Sequence, residues 1–419
     1  MTQRAQAATV PKTYDRTTLP VALVMLILVA ASYVINAMDR QVFSVVLPPI
    51  REDFSFSLAQ GGFLATIFTL GIGLAGVPSG YLLDRYSRKV VMLVGIAIYS
   101  VFTILTALAL GFLDMTLYRA ITGIGESMQN AALFSAVGAY FYSRRAMALG
   151  TLNFAYGLGS FFGPLFGGVM LQSTGSWKLP FYVYGILGLV FIGIIGFFVT
   201  RRFTEQEEPP SVAAASIDER MPERLLNRNL IVGIITAAIV GTSMYGYLGL
   251  YPTFLQENLG FTPTQAGFAL SMFGLGALMG IPAGYLGDRF PQRWVIIGAL
   301  VGAMLTGYIL FNLITTPAQH NVFSFLEGMF ASGFLFVNVY SLMQRSVKTT
   351  IIGRASGAFI TSLYVPSALA GYLFAFLVGR IDWGGAAIVQ LVLIPLIGIV
   401  AMLFLDPSRI NTIRSDRPH

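Results

Sequence analysis

Long apolar stretches recur along the chain with short polar segments between them. A membrane-spanning helix needs roughly 20 mostly apolar residues, and we identify twelve such stretches. They lie at residues 20–50, 58–83, 89–112, 115–142, 146–172, 179–200, 229–256, 264–287, 294–314, 322–344, 354–379 and 384–405. The stretches are continuous and do not alternate between apolar and polar residues, which excludes a transmembrane β-barrel. The pattern predicts an all-α membrane protein with twelve transmembrane helices.

A short sequence near the end of the second stretch returns near the end of the eighth. Gly-Tyr-Leu-Leu-Asp-Arg at 80–85 becomes Gly-Tyr-Leu-Gly-Asp-Arg at 284–289, an offset of 204 positions. This repetition predicts two six-helix bundles related by pseudo-symmetry. The predicted organisation is a tail at 1–19, an N-terminal bundle at 20–200, a linker at 201–228, a C-terminal bundle at 229–405 and a second tail at 406–419. Within the linker, the sequence predicts a short amphipathic helix near Asp218–Leu226.

Composition favours the same class of protein. Of the 419 residues, 55% are hydrophobic and 11% are charged, whereas about 25% of residues are charged in a typical soluble domain. Too little polar surface remains for a soluble enzyme of this length, and the lack of cysteine excludes a disulfide-stabilised secreted scaffold. The sequence contains no nucleophile motif, phosphate-binding loop or metal-ligand cluster, so we expect no enzymatic activity and no cofactor besides protons.

Basic residues fall mostly on one side of the predicted membrane. If both termini face the cytoplasm, 21 lysines and arginines lie on the cytoplasmic side and three lie outside. This distribution follows the positive-inside rule and predicts a bacterial inner-membrane protein with both termini in the cytoplasm. The net charge of +7 therefore reflects topology. We expect a monomer whose partners are the lipid bilayer and a small organic anion, with no nucleic acid.

Four charged residues fall inside predicted spans of the first half. Asp39 and Arg40 lie in span one, and Arg119 and Glu126 lie in span four. A charge at bilayer depth costs at least about 2.5–3.5 kcal/mol and marks a functional site by default. Arg119 and Glu126 are seven residues apart, so they project from one helix face about 10 Å apart. Asp39 and Arg40 are separated by about 100° around their helix and cannot face the same point.

These charges have two interpretations that the residues alone leave open. They can form structural ion pairs within the first bundle, although a buried ion pair supplies little net stability. They can instead bind ligands, because a guanidinium donates two parallel hydrogen bonds to a carboxylate, and a carboxyl group in a low-dielectric site can bind and release a proton. We expect Asp39 and Glu126 to carry protons, and Arg40, Arg119 and Asn36 to bind an anionic substrate.

The second half has no matching pair of charges and offers polar and aromatic candidates instead. They are Tyr245, Tyr247 and Tyr251 in span seven, Glu327 and Asn338 in span ten, and Ser362 and Tyr364 in span eleven. We expect the first half to bind ions and the second half to shape the pocket, with Tyr245, Tyr247 and Tyr364 touching the substrate. His320 is expected in an external loop, away from any site.

The repeated motif carries a family resemblance. Gly-x-x-x-Asp-Arg-x-x-Arg-Lys at residues 80–89, repeated in part at Gly284–Arg293, resembles the signature of the major facilitator superfamily. The resemblance covers nearly the whole chain and implies alternating access between two halves. A carboxylate at a helix end can meet basic residues and free helix-terminal N–H groups of the other half only while the cytoplasmic side is closed. We therefore expect a gate formed by Asp84, Arg85, Arg88, Asp288 and Arg289.

A closer resemblance is to the anion:cation symporter family, which includes D-galactonate transporters, vesicular glutamate transporters and sialin. It rests on Asp39-Arg40, on Arg119 with Glu126, and on Leu-Tyr-Pro-Thr-Phe-Leu at 250–255. The resemblance implies that Asp39 and Glu126 are protonation sites, and that Arg40 and Arg119 serve the substrate and the ion-pair network. The implied function is proton-coupled symport, with uptake of a small organic carboxylate.

Two other segments resemble exporters. Residues 159–168, Gly-Ser-Phe-Phe-Gly-Pro-Leu-Phe-Gly-Gly, resemble the glycine–proline motif of drug/proton antiporters, and they also fit a simple small-residue packing face. Residues 123–127, Gly-Ile-Gly-Glu-Ser, resemble bacterial relatives of the spinster lipid transporters. The alternative function is therefore a proton-driven antiporter that exports an amphipathic compound or a lysolipid.

Overall fold

The computed structural model describes residues 18–141, 145–206, 222, 224–348 and 351–410, which are largely helical and include no strand. Twelve long helices correspond to the predicted spans. The first half contains α1 (Leu19–Val45), α2 (Leu58–Arg85), α3 (Arg88–Ala107), α4 (Phe112–Tyr140), α5 (Arg145–Thr174) and α6 (Leu179–Phe198). The second half contains α7 (Arg228–Asn258), α8 (Pro263–Arg289), α9 (Gln292–Asn312), α10 (Pro317–Arg345), α11 (352–380) and α12 (383–403).

Ten helical segments of the described chain are long and apolar enough to cross a membrane. One of them, Ile352–Leu403, contains both α11 and α12, because the backbone leaves the helical region at Ile381 and at Asp382, where φ is 64°. Helix α4 is not among the ten, since the charged and amide side chains along it lower its hydropathy. The prediction of an all-α membrane protein with twelve spanning helices is confirmed.

Several long helices depart from regular α-helical geometry. Helix α2 is interrupted after Thr66, and α7 ends in the π-helical segment Phe254–Asn258, two residues beyond Pro252. Proline removes one backbone donor from the helix, which favours such a change of geometry. Helix α10 passes through a second π-helical segment, Gly328–Phe336. π-Helical turns are rare in proteins overall, and those that occur are often found at functional sites. This part of α10 is therefore a candidate functional region.

Short helices lie between and after the spans. Leu47–Phe54 follows α1, Arg201–Thr204 follows α6, and the 3₁₀ turn Pro407–Arg409 follows α12. The amphipathic helix predicted near Asp218–Leu226 lies mostly outside the described residues. The predicted boundaries of the two tails and the linker stay predictions.

Helices of the first half pack backbone to backbone through glycines. A Cβ added to Gly123 of α4 would lie 1.9 Å from the carbonyl oxygen of Phe68 in α2, and one added to Gly71 would lie 2.0 Å from that of Ala120. No side chain larger than hydrogen fits at such distances. The glycines therefore fix α4 against α2, and α4 carries two of the four intramembrane charges.

The two halves are joined at one end of the molecule. We name this the closed end; it contains the end of α1, the start of α2 and the end of α7. There Arg51 Nη1 lies 2.6 Å from Glu257 Oε1, and Gln256 Nε2 donates to the carbonyl oxygen of Val45 at 2.9 Å. The opposite end, which carries both copies of the repeated motif, is named the motif end.

Backbone contacts between the halves continue from the closed end toward the middle of the molecule. A Cβ added to Gly62 of α2 would lie 2.3 Å from the carbonyl oxygen of Gly371 in α11. One added to Gly168 of α5 would lie 2.4 Å from that of Pro263 in α8. These approaches are too close for any larger residue, so α2 meets α11 and α5 meets α8 through main-chain atoms.

The motif end lacks comparable contacts. The hydrogen bonds that join Arg51, Thr66, Gln256 and Thr264 to the other half lie between the closed end and the middle of the molecule, whereas a Cβ added to Gly80, Gly150 or Gly353 would meet nothing within 4 Å. Tyr81 and Met147, on helices α2 and α5, are 68% and 63% exposed. The structure is therefore packed at the closed end and separated at the motif end.

The Arg51–Glu257 pair should favour this arrangement. We expect Arg51→Gln to increase, by up to about fivefold, the fraction of molecules in which the two halves are separated at the closed end. The reason is that a half-exposed ion pair contributes up to about 1 kcal/mol. Since the chain has no cysteine, pairs of introduced cysteines can carry spin labels, and distance distributions across the closed end report the shift. Glu52→Gln, at an exposed carboxylate nearby, should leave the distribution unchanged. An unchanged distribution in Arg51→Gln would contradict the assignment.

Candidate functional site

Helices α1 and α4 bring the four predicted intramembrane charges together. Asp39, Arg119 and Glu126 are completely buried, and Arg40 is 4% exposed. Adjacent residues of a helix point about 100° apart, and Asp39 and Arg40 accordingly point to different neighbours. The four side chains form two clusters in which a residue of α1 meets a residue of α4.

The first cluster contains an ion pair between the helices. Arg40 Nε lies 2.9 Å from Glu126 Oε2, and Arg40 Nη2 donates to Asn36 Oδ1 at 3.2 Å. Asn36 Nδ2 donates in turn to Gln129 Oε1 at 2.8 Å, and Gln129 Nε2 donates to Ser32 Oγ at 3.1 Å. The side chains of Asn36 and Gln129 thereby hold Arg40 and Glu126 in register along α1 and α4.

The second cluster is less fully hydrogen-bonded. Asp39 Oδ2 accepts a hydrogen bond of 2.7 Å from Thr103 Oγ1 of α3, and Asp39 also interacts electrostatically with Arg119. Asp39 Oδ1 and all three side-chain nitrogens of Arg119 have no hydrogen-bond partner among the described residues. The Arg119 guanidinium carbon lies 4.7 Å from the ring centre of Phe43 and 5.1 Å from that of Phe68.

Aromatic rings can stabilise a buried guanidinium by about 2 kcal/mol or more, but they accept no strong hydrogen bonds. The Arg119 cation is therefore held in place by Phe43 and Phe68 while its donors stay available. A guanidinium has five N–H donors in a planar arrangement that matches a carboxylate. Arg119 therefore keeps donors that a carboxylate, from Asp39 or from a ligand, can accept.

Tyrosines surround the Arg40–Glu126 pair from both halves. The Arg40 guanidinium carbon lies 5.6 Å from the ring centre of Tyr156 on α5, and Tyr156 is 6.0 Å from Tyr33 on α1. From the second half, Tyr245 on α7 and Tyr364 on α11 have ring centres 5.8 Å apart, and both interact electrostatically with Arg40. Two of the three predicted substrate-contacting tyrosines therefore lie beside Arg40.

Tyr247, the third predicted tyrosine, lies elsewhere. Its ring stacks on Tyr251 at 4.5 Å, and its hydroxyl shares a hydrogen bond of 2.7 Å with Ser324 of α10 inside the second half. Residues two apart on a helix point about 200° apart, so Tyr245 and Tyr247 face opposite directions. The expectation that His320 lies in an external loop is wrong: it belongs to α10, is fully buried and contacts Tyr251.

The remaining polar candidates of the second half make local contacts. Asn338 donates to the carbonyl oxygens of Ala283 at 3.2 Å and Phe334 at 2.9 Å, which joins α10 to α8. Ser362 donates to the carbonyl oxygen of Phe359 on its own helix. Glu327 accepts a hydrogen bond from Thr306 of α9 and lies apart from the Arg40 cluster.

Comparison with known proteins identifies the family. The sequence model of the family described as "Major Facilitator Superfamily" matches residues 29–251 and 233–418. The chain belongs to this superfamily. Membership confirms the resemblance carried by the repeated motif and makes the protein a transporter, not an enzyme.

Individual relatives of this Major Facilitator Superfamily protein have low sequence identity to it. It is 24% identical over 421 residues to the D-galactonate transporter of Escherichia coli O6:H1, covering 92% of this chain and 96% of that protein. It is 28% identical over 253 residues to the hexuronate transporter of Bacillus subtilis, covering 59% of this chain and 58% of that protein. The fold is similar to the crystal structure of a bacterial homologue of the human lysosomal transporter Spinster, which is in an inward-facing, unoccupied conformation. The TM-score is 0.76 and the sequence identity is 20%, and the match covers 94% of this chain and 99% of that chain.

Among the described residues, no hydrogen bond or ion pair of the superfamily motif joins the two halves. Asp84 and Arg85 are exposed, and Asp84 has no hydrogen bond or ion pair with any described residue. Arg88 donates to the carbonyl oxygens of Thr204 and Gln206, at 3.2 and 2.7 Å, within its own half. In the second copy, Asp288 pairs with Arg345, and the Arg289 guanidinium lies 5.2 Å from the ring centre of Tyr285. Because the motif end is separated here, the gating role of these residues stays a prediction.

Several residues of the site were missed by sequence reasoning. Gln129 lies three residues after Glu126, and Tyr33 lies seven before Arg40, so helical spacing alone places each on the right face. Phe43 likewise shares a face with Asp39, four residues earlier. Thr103 and Tyr156 come from other helices, and nothing in their own sequence neighbourhood points to the site.

The Arg40–Glu126 pair should be strongly coupled in stability. We expect Arg40→Met and Glu126→Leu each to lower stability by about 3–5 kcal/mol, because each leaves a buried charge without its partner. The double variant should lose much less than the sum, since no lone charge remains. Thermal unfolding of the purified variants measures this coupling. Additive losses would contradict a direct ion pair.

Proposed function

We propose that this protein is a proton-coupled symporter that takes up a small organic anion, a carboxylate, by alternating access. The observation that carries the proposal is the buried pair between Arg40 and Glu126, 2.9 Å apart and next to a second guanidinium, Arg119, whose donors have no partner among the described residues. Few arrangements bring two cations and two carboxyl groups into the interior of a membrane-embedded bundle without a role in binding charge.

Charge balance explains why a proton would accompany the anion. Asp39, Arg40, Arg119 and Glu126 together are neutral when all four are ionised. Binding a carboxylate among them adds one negative charge to a buried site, which is costly unless a cation enters with it. A proton on Glu126 removes that cost and frees Arg40 for the substrate. Anion and proton therefore bind together more favourably than either binds alone.

The surroundings of Arg40 fit this exchange of partners. Once Glu126 is neutral, a substrate carboxylate can take its place on the Arg40 guanidinium as a two-pronged acceptor. The hydroxyl groups of Tyr245 and Tyr364, from the second half, can then donate hydrogen bonds to the rest of the substrate. A ligand held by Arg40 and by these tyrosines contacts both halves at once, so binding favours closure of one half on the other.

Asp39 and Arg119 are proposed as a second pair in which a carboxyl group binds a proton and a guanidinium binds the anion. Asp39 keeps one hydrogen bond, from Thr103, and one electrostatic partner, Arg119. Protonation of Asp39 would release Arg119 from this attraction and leave its donors for the anion. Phe68 lies against both Arg119 and Tyr245, 5.1 and 5.9 Å from them, and would transmit the change to the second half.

The direction of transport is proposed from topology. With both termini in the cytoplasm of a bacterium, the closed end faces outward and the motif end faces the cytoplasm. The structure then corresponds to an inward-facing form that releases substrate and proton inside. In the outward-facing form, Asp84 and its neighbours would close the motif end. The names of the D-galactonate and hexuronate relatives support an organic acid as the substrate.

Export of an amphipathic compound or lysolipid was favoured by the glycine–proline motif of α5. That motif has a packing role here, because a Cβ at Gly159 would lie 2.4 Å from the carbonyl oxygen of Val34, and one at Gly163 would lie 2.6 Å from Met38 Cα. The glycines thus seat α5 against α1. Close packing of these helices accounts for the motif without an export function.

Uptake and export make opposite predictions in proteoliposomes. With an inward proton gradient, we expect labelled D-galactonate or another sugar acid to accumulate inside, because proton entry drives entry of the anion. A protonophore should abolish the accumulation. A screen of organic acids by thermal shift identifies the ligand to label, since a binder stabilises the folded state. Depletion of a preloaded anion under the same gradient would instead establish export.

The residues of the first cluster should separate binding from proton coupling. We expect Arg40→Ala to abolish substrate binding in the thermal-shift assay, because the anion loses its cation. We expect Glu126→Gln to impair proton-driven uptake while sparing exchange of labelled for unlabelled substrate, since glutamine mimics a carboxyl group that is always protonated. Glu52→Gln, at an exposed carboxylate, serves as the matched control. Proton-driven uptake at the control's rate in Glu126→Gln would rule out its coupling role.

A further inference from the structure

The second half contains one charged side chain that the proposed transport site does not use. Helices α7 to α12 carry Asp, Glu, Lys and Arg only near their ends, except for Glu327 in the interior of α10. Glu327 is 3% exposed. An isolated carboxylate at this depth is expensive to bury, whereas a protonated carboxyl group is not. Its presence therefore needs an explanation.

The surroundings of Glu327 supply a hydroxyl but no cation. Thr306 of α9 donates to Glu327 Oε2. Tyr247 and Tyr251 face it from α7, and His320 lies on its own helix; α8, α9 and α12 present no charged side chain along the part that packs there. With no arginine or lysine among these neighbours to balance a carboxylate, the protonated form of Glu327 is the one that is cheaper to bury.

A small cavity lies against Glu327. It has a volume of about 20 Å³ and is bounded by side chains of α7, α9, α10 and α12, among them Ser243. A cavity needs roughly 10–15 Å³ to hold a water molecule, which also needs polar partners. The Glu327 carboxyl group and the Ser243 hydroxyl can provide them. The carboxyl group thus faces a space in which a single water can deliver or accept a proton.

Polar side chains extend from Glu327 toward the closed end. His320, Ser324 and Glu327 lie at positions i, i+4 and i+7 of α10 and so share one face. All three are buried, as are Tyr247 and Tyr251 opposite them on α7. Two hydrogen bonds connect the helices: Tyr247 with Ser324 at 2.7 Å, and Tyr251 with His320 at 3.0 Å.

The hydrogen-bond directions at His320 follow from its two partners. Its Nε2 lies 3.2 Å from the carbonyl oxygen of Ile314, which can only accept, so Nε2 carries the hydrogen. Nδ1 therefore accepts from the Tyr251 hydroxyl. Residues just before His320, such as Thr316 and Gln319, are exposed at the closed end. The chain of polar groups thus begins within one helical turn of the surface.

The position of Glu327 along α10 connects it to a change of helix geometry. The regular α-helix Pro317–Glu327 ends at this residue, and the π-helical segment Gly328–Phe336 begins directly after it. A Cβ added to Gly328 would lie 2.0 Å from the carbonyl oxygen of Phe273, so α8 and α10 are in backbone contact at this point. A change in the charge of Glu327 would act where the helix is already irregular.

We propose that Glu327 is a second proton-binding site, belonging to the C-terminal half and reached from the closed end along His320, Tyr251, Tyr247 and Ser324. The carboxylate takes up one proton to become a carboxylic acid, and it returns that proton to water when the cavity opens. Water at the closed end supplies one proton, and the hydroxyls of Tyr251, Tyr247 and Ser324 each accept one hydrogen and pass on another as they rotate. His320 ends with one ring hydrogen, as before, so only Glu327 changes its net charge, from anionic to neutral. The coupling of this proton to transport rests on the proposed symport, whereas its binding does not.

The binding of the proton can be tested without any substrate. We expect infrared difference spectra of the full-length protein between acidic and alkaline pH to contain a protonated-carboxyl band that is lost in Glu327→Gln. The band should persist in Glu52→Gln, which alters an exposed carboxylate. Thr306→Val, which keeps the carboxyl group and removes its hydroxyl donor, should shift the band's frequency. A spectrum of Glu327→Gln identical to that of the wild type would overturn the proposal.

The route is tested by the rate at which the band appears after a pH jump on the closed side. We expect Tyr251→Phe and Ser324→Ala to slow it about tenfold, the effect of 1.4 kcal/mol on a barrier. Thr236→Val, which removes a buried hydroxyl bonded only to its own helix, is the matched control and should keep the wild-type rate. Unchanged rates in Tyr251→Phe and Ser324→Ala would refute the route.

Transport measurements then distinguish the two proposals. If both are right, Glu327→Gln in proteoliposomes takes up substrate with one proton fewer per anion than the wild type does. If the proposed symport is wrong, the wild type itself shows no proton flux with the anion, while the infrared band of Glu327 is still present. If the ratio of protons to anions is the same in Glu327→Gln and in the wild type, the proton of Glu327 plays no part in transport and that coupling is refuted.

Discussion

A charge inside a membrane-embedded bundle must be matched by an opposite charge or by a proton, and this requirement organises both halves of the protein. In the first half, the match is made by side chains: Arg40 lies against Glu126, and Asp39 lies near Arg119. In the second half, no cation among the described residues contacts Glu327, and we propose that a proton provides the match. The two halves carry the same repeated motif but bury their charged residues in different ways.

Packing at the closed end supplies the mechanical counterpart of this electrostatic arrangement. Glycines bring α2 against α11 and α5 against α8 through main-chain atoms, so the halves can meet closely without interlocking side chains. At the motif end, the described residues form no such contacts. Short backbone approaches also hold the helices together within each half, so in the proposed transport cycle each bundle would move as a unit when the charges at the centre change.

Much of the fold was accessible from the sequence because it depends on local signals. Apolar runs of about 20 residues predicted twelve spanning helices, and the repeated motif predicted two halves. Helical geometry places Tyr247 on the face opposite Tyr245, next to Ser324, and its contact with substrate stays a prediction. His320 was expected in a loop because the predicted span began at residue 322, whereas α10 begins at Pro317.

The partners of the site were only partly predictable for a physical reason. Residues on the same helix face, such as Gln129 beside Glu126, follow from spacing. Thr103, Phe68 and Tyr156 reach the site because α3, α2 and α5 pack against α1 and α4, and a single sequence does not encode which helices touch. The pairing of Arg40 with Glu126 also needed coordinates, since spacing within α1 and within α4 does not specify which faces of the two helices meet.

The backbone contact between Gly62 and Gly371 has a consequence for how such carriers diversify. Main-chain atoms form this contact, whereas the rings of Tyr156, Tyr245 and Tyr364 lie around Arg40. Substitutions of those rings would change the shape and polarity around Arg40 and leave the contact between the glycines intact. Divergence in ligand preference would therefore require no change in how the two halves meet.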